Sequence, residues 1–499
     1  MFRIMRILLV VPPFLEEGLE MEAKESIGIG YLASVLRGRG FEVDLLDADL
    51  LQLKAEEAVQ RICTKKYELI GFSLLEGTIE SAVEILKGLR RRGVTSHIVL
   101  GGYFSTLVTE ELLAELPEVD SVIRGEGEYT LLELAQCLLE GKDWRDLEGI
   151  AYREGDRVTI NPNRSPFDLD EIPLPSRDLL PQVLKRGGVA GLVGSRGCFA
   201  NCSFCCINSF HKASGTPGWR GRSVEAIVDE IETLLDGWAV KTISFYDSNF
   251  IGPGKEGPLR AYAIGEEILR RKLQIDFALS TRPDQVEEEL FRFLKKAGLK
   301  EVFLGIESMS QKSLDFYRKG ITVEQNRKAV DTLERLEIYY RPGFILYEPY
   351  VTLDQIRENL GFIKELVSGR YCNKFHFFKG LRVYRGSPLE KRLEGRGLLR
   401  RNGWHNTYMW QDPAVARFIY LTGLLAPKML SVKEKEAALN VRERRNLDRL
   451  LGQWSIHLYE EVLALMETDS DQPDRWMNLS LKADERLARI ERTVHLMNV

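Results

Sequence analysis

Three cysteines, Cys198, Cys202 and Cys205, have the type and spacing to hold a metal cluster. They fall in the run Gly194-Ser195-Arg196-Gly197-Cys198-Phe199-Ala200-Asn201-Cys202-Ser203-Phe204-Cys205-Cys206, as Cys-x3-Cys-x2-Cys, directly after an apolar stretch, Val189 to Val193, that reads as a buried strand. Three thiolates this close can ligate three irons of a [4Fe-4S] cluster and leave the fourth iron open to substrate or cofactor. A zinc site would need a fourth ligand, for which Cys206 and His211 are the nearby choices. Disulfides fit less well, because the seven cysteines are an odd number and nothing marks the chain as secreted. On spacing alone, Cys206 is a neighbour of the site and not a ligand.

The rest of the chain must position that loop. With 499 residues, 44% hydrophobic and 29% charged, it is long enough for two or three domains with true cores. A net charge of −5 and a pI near 5.9 leave no broad basic surface to neutralise phosphates, so the expected partner is a small molecule or peptide and not nucleic acid. The apolar core Ile7 to Val11 is stopped by Pro12-Pro13 and reads as a first strand, not a signal peptide. No run approaches a membrane span, and a cytoplasmic protein is expected, where thiolates stay reduced.

From residue 6 to about 140, apolar runs (Arg6 to Val11, Glu42 to Leu46, Leu69 to Ser73, Ile98 to Leu100, Ser121 to Ile123) alternate with stretches of helical spacing. This alternation predicts a doubly wound, mostly parallel α/β sheet with its ligand at the carboxyl ends of the strands. Ser73, Gly101-Gly102 and Arg124-Gly125-Glu126-Gly127-Glu128 fall at those ends. Residues 141–188 predict a hairpin, Ile150 to Arg153 with Arg157 to Ile160, and a proline-rich linker.

Between 189 and 380, six strands are expected: Val189 to Val193, Thr242 to Tyr246, Ile275 to Leu279, Glu301 to Leu304, Tyr339 to Ile345 and Lys374 to Phe378. Asp247, Ser280, Arg282 and Glu307 cluster at their carboxyl ends, where barrels gather chemistry. For Arg282 and Glu307 the plain alternative is a salt bridge that closes the barrel. Residues 381–499 predict a helical region, with Trp404, His405, Tyr408 and Trp410 in a lid or a small core, and a solvated helix face from Lys433 to Arg449. His97 sits at the wrong end of its strand for the expected ligand and is expected at the surface.

The cysteine run, with Phe204 before the third cysteine, resembles the radical S-adenosylmethionine (SAM) superfamily. The resemblance implies a partial (β/α)6 TIM-type barrel over 189–380, SAM on the open iron, and an external one-electron donor such as flavodoxin or ferredoxin. It also implies a 5′-deoxyadenosyl radical as the product of SAM cleavage. Leu304-Gly305-Ile306-Glu307-Ser308 resembles the segment that places a carboxylate on the SAM ribose. Gly343-Phe344-Ile345 and the Phe204 backbone match positions beside adenine.

Residues 5–140 resemble the Rossmann-like cobalamin-binding domain that precedes the barrel in one branch of that superfamily. The resemblance rests on Ser26-Ile27-Gly28-Ile29-Gly30-Tyr31-Leu32-Ala33, Phe41-Glu42-Val43-Asp44, Gly101-Gly102 and the Gly-Glu-Gly-Glu stretch. It implies cobalamin contacts at Ser73, Gly101, Gly102 and Glu126. There is no Asp-x-His-x-x-Gly motif, which implies cobalamin without a histidine below cobalt. Tyr103-Phe104 stands where the branch often has Pro-His. The function implied is methylation of an unactivated carbon in a small molecule, with the two domains facing one cavity. The alternative is a radical lyase, dehydratase or ring-forming enzyme whose first domain is structural.

Overall fold

The computed structural model describes residues 5–14, 23–372, 380–424, 441–467, 479, 482–483 and 485–490. The first sheet contains β1 (Arg6–Val11), β2 (Glu42–Asp47), β3 (Leu69–Ser73), β4 (His97–Gly101), β5 (Ser121–Ile123), β6 (Ile150–Glu154) and β7 (Arg157–Ile160). Their order is β2-β1-β3-β4-β5-β6-β7. The first five are parallel, and both faces are covered. Ile7 and Leu9 of β1 face one core with the helices Ile27–Arg37 and Glu128–Glu140, while Leu8 and Val10 face the other with Ala55–Ile62 and Ile79–Arg91. That is why β1 reads as a continuous apolar run and not as an alternating one. Strand order reverses between β1 and β3, which opens a crevice at their carboxyl ends.

The hairpin β6–β7 is no free-standing connector. It pairs antiparallel with β5, Ser121 opposite Tyr152, and extends the first sheet. His97 is not at the surface either. Its ring meets Trp144 edge-on at 4.9 Å, and its Nε2 lies 2.8 Å from Ser121 Oγ. Burial lowers its pKa to about 4, so it is a neutral packing residue at the amino end of the interior strand β4.

The second sheet has the order β14-β13-β12-β11-β8, all parallel: β8 (Ala190–Leu192), β11 (Thr242–Phe245), β12 (Asp276–Thr281), β13 (Leu299–Glu307) and β14 (Tyr339–Phe344). Between β8 and β11 a two-stranded ribbon, β9 (Ser195–Gly197) and β10 (Trp219–Gly221), leads into and out of the cysteine loop. The strand expected at Lys374 to Phe378 lies outside the described residues. On β13, Val302, Leu304 and Ile306 pack in the core shared with the helices. The alternate residues Phe303, Gly305 and Glu307 therefore face the open, concave side.

The C-terminal region holds the helices Pro413–Gly423 and Val441–Glu467 around Tyr347, Phe418, Trp454 and Tyr459, and the helix Pro388–Glu394, which packs with Tyr317 and Leu381. The stretch with His405 and Tyr408, expected in helices, is instead the antiparallel ribbon β15 (Leu399–Asn402) and β16 (His405–Tyr408). The two-residue loop Gly403-Trp404 between the paired Asn402 and His405, with Gly403 at φ 57°, explains it. Residues 433–440 of the expected charged helix are outside the described set.

A buried chain of ion pairs joins the two sheets. Arg177 lies 2.6 Å from both Glu25 and Glu230, and Arg222 also takes Glu230. All four side chains are at most 9% exposed, so the domains meet through desolvated charges and not a wet cleft.

Candidate functional site: a cysteine loop between two cofactor seats

The cysteine loop is pinned at both ends. Before it, Asp247 accepts from Gly194 N at 2.9 Å and from Ser195 Oγ at 2.5 Å, and Arg260 donates to Gly194 O at 2.6 Å. Asp247, a candidate cofactor contact, thus has both carboxylate oxygens engaged by the approach to the loop. Inside the loop, Ser203 N donates to Tyr317 O at 2.7 Å, and Ser203 O accepts from Leu389 N at 2.9 Å. Arg392 adds a bond to Ser203 Oγ at 3.2 Å. Gly197 stands at φ 86°, where a Cβ would collide with Gly218 O, so only glycine fits.

Cys202 is buried, and Cys198 and Cys205 are half-buried. Burial raises the Cys202 thiol and pushes the Cys205 thiol up to about 12. Such thiols ionise only against a strong cation, which is what binding iron supplies. Cys206 is the N-cap residue of the helix Ile207–Ser214. His211 on that helix lies 2.6 Å through Nδ1 from Thr216 Oγ1, while its buried Nε2 has no partner.

The concave face of the barrel sheet brings Arg282 and Glu307 beside Cys202, whose thiol responds to both charges and to Lys319. They do not pair with each other. Glu307 pairs with the buried Lys319 at 2.9 Å, and Arg282 forks onto Asp284 at 2.9 and 3.1 Å. Glu307 has φ 64° at an irregularity in the β13–β14 pairing, a strained conformation of the kind held at functional sites. Arg282 Nη1 is buried with no partner, a donor left for a ligand. Ser280 is in register with Phe303, which is 44% exposed on this concave face. A Cβ at Gly343 would stand 2.8 Å from that ring. Ile345 N donates to Glu307 O at 2.8 Å, and Ile345 and Phe204 pack in one apolar group with Tyr317. Lys319 escaped the sequence reading, because its closeness to Cys202 is purely tertiary.

At the carboxyl ends of the first sheet lies a cavity of about 400 Å³. Leu9, Phe72, Val99 and Ile123 make its body, and Ser73, Gly101, Gly102 and Glu126 all line it. The barrel domain closes it with Arg196, Gly197, His211, Tyr246 and Ser248. At Gly101 a Cβ would meet nothing within 4 Å, whereas at Gly102, φ 95°, it would stand 2.8 Å from Leu74 O. Tyr31 OH, Glu126 Oε2 and His211 Nε2, all on lining residues, are buried without partners. An apolar body with orphaned polar atoms on its wall fits a wide ring that carries amides at its edge, as a corrin does. The histidine that lines it, His211, comes from the barrel domain, and burial lowers its pKa to about 4. Tyr103 packs on Phe210 at 4.3 Å, and burial pushes its phenol up to about 12.

One further residue went unnoticed in the sequence. Glu76 follows β3 by three positions, and its side chain is 7% exposed. Burial raises its pKa to about 7 despite a backbone hydrogen bond from Arg385 and His405 Nδ1 at 3.8 Å. It is close enough for its charge to raise the thiol of Cys206.

Comparison with known proteins agrees with this layout. The B12 binding domain family matches residues 24–135, and the Radical SAM superfamily matches residues 192–363. An uncharacterised methyltransferase of Pyrococcus horikoshii is 32% identical over 372 residues, 73% of this chain and 79% of that one. The anaerobic magnesium-protoporphyrin IX monomethyl ester cyclase of Rubrivivax gelatinosus is 29% identical, over 71% of this chain and 64% of its own length. The structure of the cobalamin-dependent SAM radical enzyme OxsB, with aqua-cobalamin and SAM bound, superposes with TM-score 0.81 at 20% identity, covering 99% of this chain and 81% of that one.

Proposed function

Because this chain belongs to the radical SAM enzymes that carry a B12-binding domain, we propose that it methylates an unactivated carbon of a small molecule. The observation that carries the reading is the cavity itself, which strand ends of the first sheet and the approach to the cysteine loop line together. Cobalamin in that seat would face the approach to the cysteine loop, and a substrate held between the two would meet both cofactors. When bound, the cluster with SAM supplies a carbon-centred adenosyl radical, and cobalamin supplies a transferable methyl group.

In this reading Cys198, Cys202 and Cys205 hold the cluster. Glu307 takes the ribose hydroxyls of SAM, the free Nη1 of Arg282 takes an anionic or carbonyl oxygen, and Phe204 and Ile345 flank adenine. Ser73, Gly101 and Glu126 line the corrin seat, while Gly102 and Asp247 shape the backbone beside the two seats. The electron comes from an external donor such as flavodoxin or ferredoxin. Among the described residues no helix is long and apolar enough to cross a membrane, which is compatible with the proposed cytoplasmic location.

The test is product analysis with methyl-labelled SAM. Methyl transfer yields 5′-deoxyadenosine and S-adenosylhomocysteine in comparable amounts and puts label into product. Turnover with 5′-deoxyadenosine alone and no label transfer overturns methylation in favour of elimination or ring formation.

A further inference from the structure

The cysteine loop and the corrin seat share a single charged seam. On the ribbon, Arg196 of β9 stands opposite Arg220 of β10, so the two guanidiniums project as a cross-strand pair. Both reach into the Gly-Glu-Gly-Glu turn of the first domain. Arg196 lies 2.6 Å from Glu128 and 3.4 Å from Glu126, and Arg220 also pairs with Glu126. The Arg196 guanidinium lies over the rings of Tyr31, at 5.4 Å, and Phe167, at 5.9 Å. None of the four charged side chains is more than 18% exposed, so each feels its partner through little water.

This seam has a ligand side and a cluster side. On the ligand side, Tyr31, Glu126 and Glu128 line the cavity, and Tyr31 OH and Glu126 Oε2 lack partners. On the cluster side, Arg196 precedes Cys198 by two residues. Ser195 before it is held by Asp247, and Gly197 after it stands at φ 86° where a Cβ would collide with Gly218 O, so a single residue with no room for a side chain separates Arg196 from Cys198.

We propose that Glu126 and Glu128 are positioning residues which, through Arg196 and Arg220, make the cysteine loop sense whether the corrin seat is filled. Both guanidiniums sit on Glu126 Oε1, so a corrin amide that donates to the free Oε2 draws on the charge of the same carboxylate and weakens its pull on them without displacing them. The relaxed pull on Arg196 then re-aims Cys198. The inference rests on the cobalamin reading of the cavity.

The test uses the full chain with a 57Fe-reconstituted, oxidised cluster, read by Mössbauer spectroscopy before and after hydroxocobalamin, whose cobalt is diamagnetic. Binding is followed separately by absorbance titration. In the wild type, hydroxocobalamin is expected to bind and to change the quadrupole splitting of the cluster. The variant Glu126→Gln/Glu128→Gln should still bind four irons and, at hydroxocobalamin concentrations raised until its absorbance titration saturates, lose the change. Should that variant not bind hydroxocobalamin, Arg196→Lys decides on the same spectra. It keeps the charge but loses the two-pronged contact, and its change should be clearly smaller than in the wild type. Binding without any spectral change in the wild type overturns the inference, as does a change of wild-type size in the deciding variant. No hydroxocobalamin binding by the wild type overturns the cobalamin reading, and the inference with it.

Discussion

At Glu76 the polypeptide keeps a carboxyl group where water cannot reach it, and two of its properties can be measured. Its pKa rises from an ordinary 4.5 to about 7, so between those values the folded protein binds more protons than the unfolded one. Stability therefore falls as pH rises through that window, by on the order of 2–3 kcal/mol for this group. Glu76→Gln, which cannot ionise, should melt higher than the wild type at about pH 8 and lose that advantage near pH 4.5. Equal Tm differences at the two pH values would show that folding leaves the Glu76 pKa unshifted. The cysteines give the simplest residue-level expectation. Cys202→Ala should lose the roughly four irons of a [4Fe-4S] site, while Cys206→Ala keeps them, as iron analysis after anaerobic reconstitution will report. These cysteines were legible because a cluster needs ligands close in sequence on one loop. Lys319 and Glu76 were not, because what sets them apart is who lies beside them across the fold.

Strands and helices were legible where burial imposes a period. The run Ile7 to Val10 is apolar throughout because both faces of β1 are covered, and β13 alternates because one face is concave and open. Legibility failed where local turn chemistry overrode composition. The aromatic and charged stretch 399–408 looked helical, yet a turn at Gly403-Trp404 folds it into a ribbon. His97 was misplaced for another reason: its partner Trp144 comes from a stretch that reads only as linker. The glycines after β4 separate two roles that the sequence merges into one motif. Gly101→Leu should block hydroxocobalamin with little change in Tm, since its side chain enters open space. Gly102→Ala should instead lower stability by about 1–2 kcal/mol through its left-handed backbone and its contact with Leu74 O. Absorbance titration and thermal melts of the two variants distinguish them.

Over the whole molecule, Arg177 joins the sheets by pairing with a carboxylate from each domain. Replacing it with Met strands Glu25, whose own burial already raises its pKa, beside Glu230. Breaking a buried pair costs about 3–5 kcal/mol, so Arg177→Met should lower Tm sharply, more at neutral pH than at acid pH where the carboxylates can take up protons. The loop that carries the cysteines has a different dependence on the whole chain. Its Ser203 is bonded to Tyr317, Leu389 and Arg392, residues 114 to 189 positions later in the sequence. On a ribosome, the cysteines therefore emerge long before the parts that hold them in shape. Iron delivery to this protein belongs after synthesis of the C-terminal region, and a ribosome-stalled chain ending before residue 380 would present three thiols to the cell without the frame that makes them a cluster site.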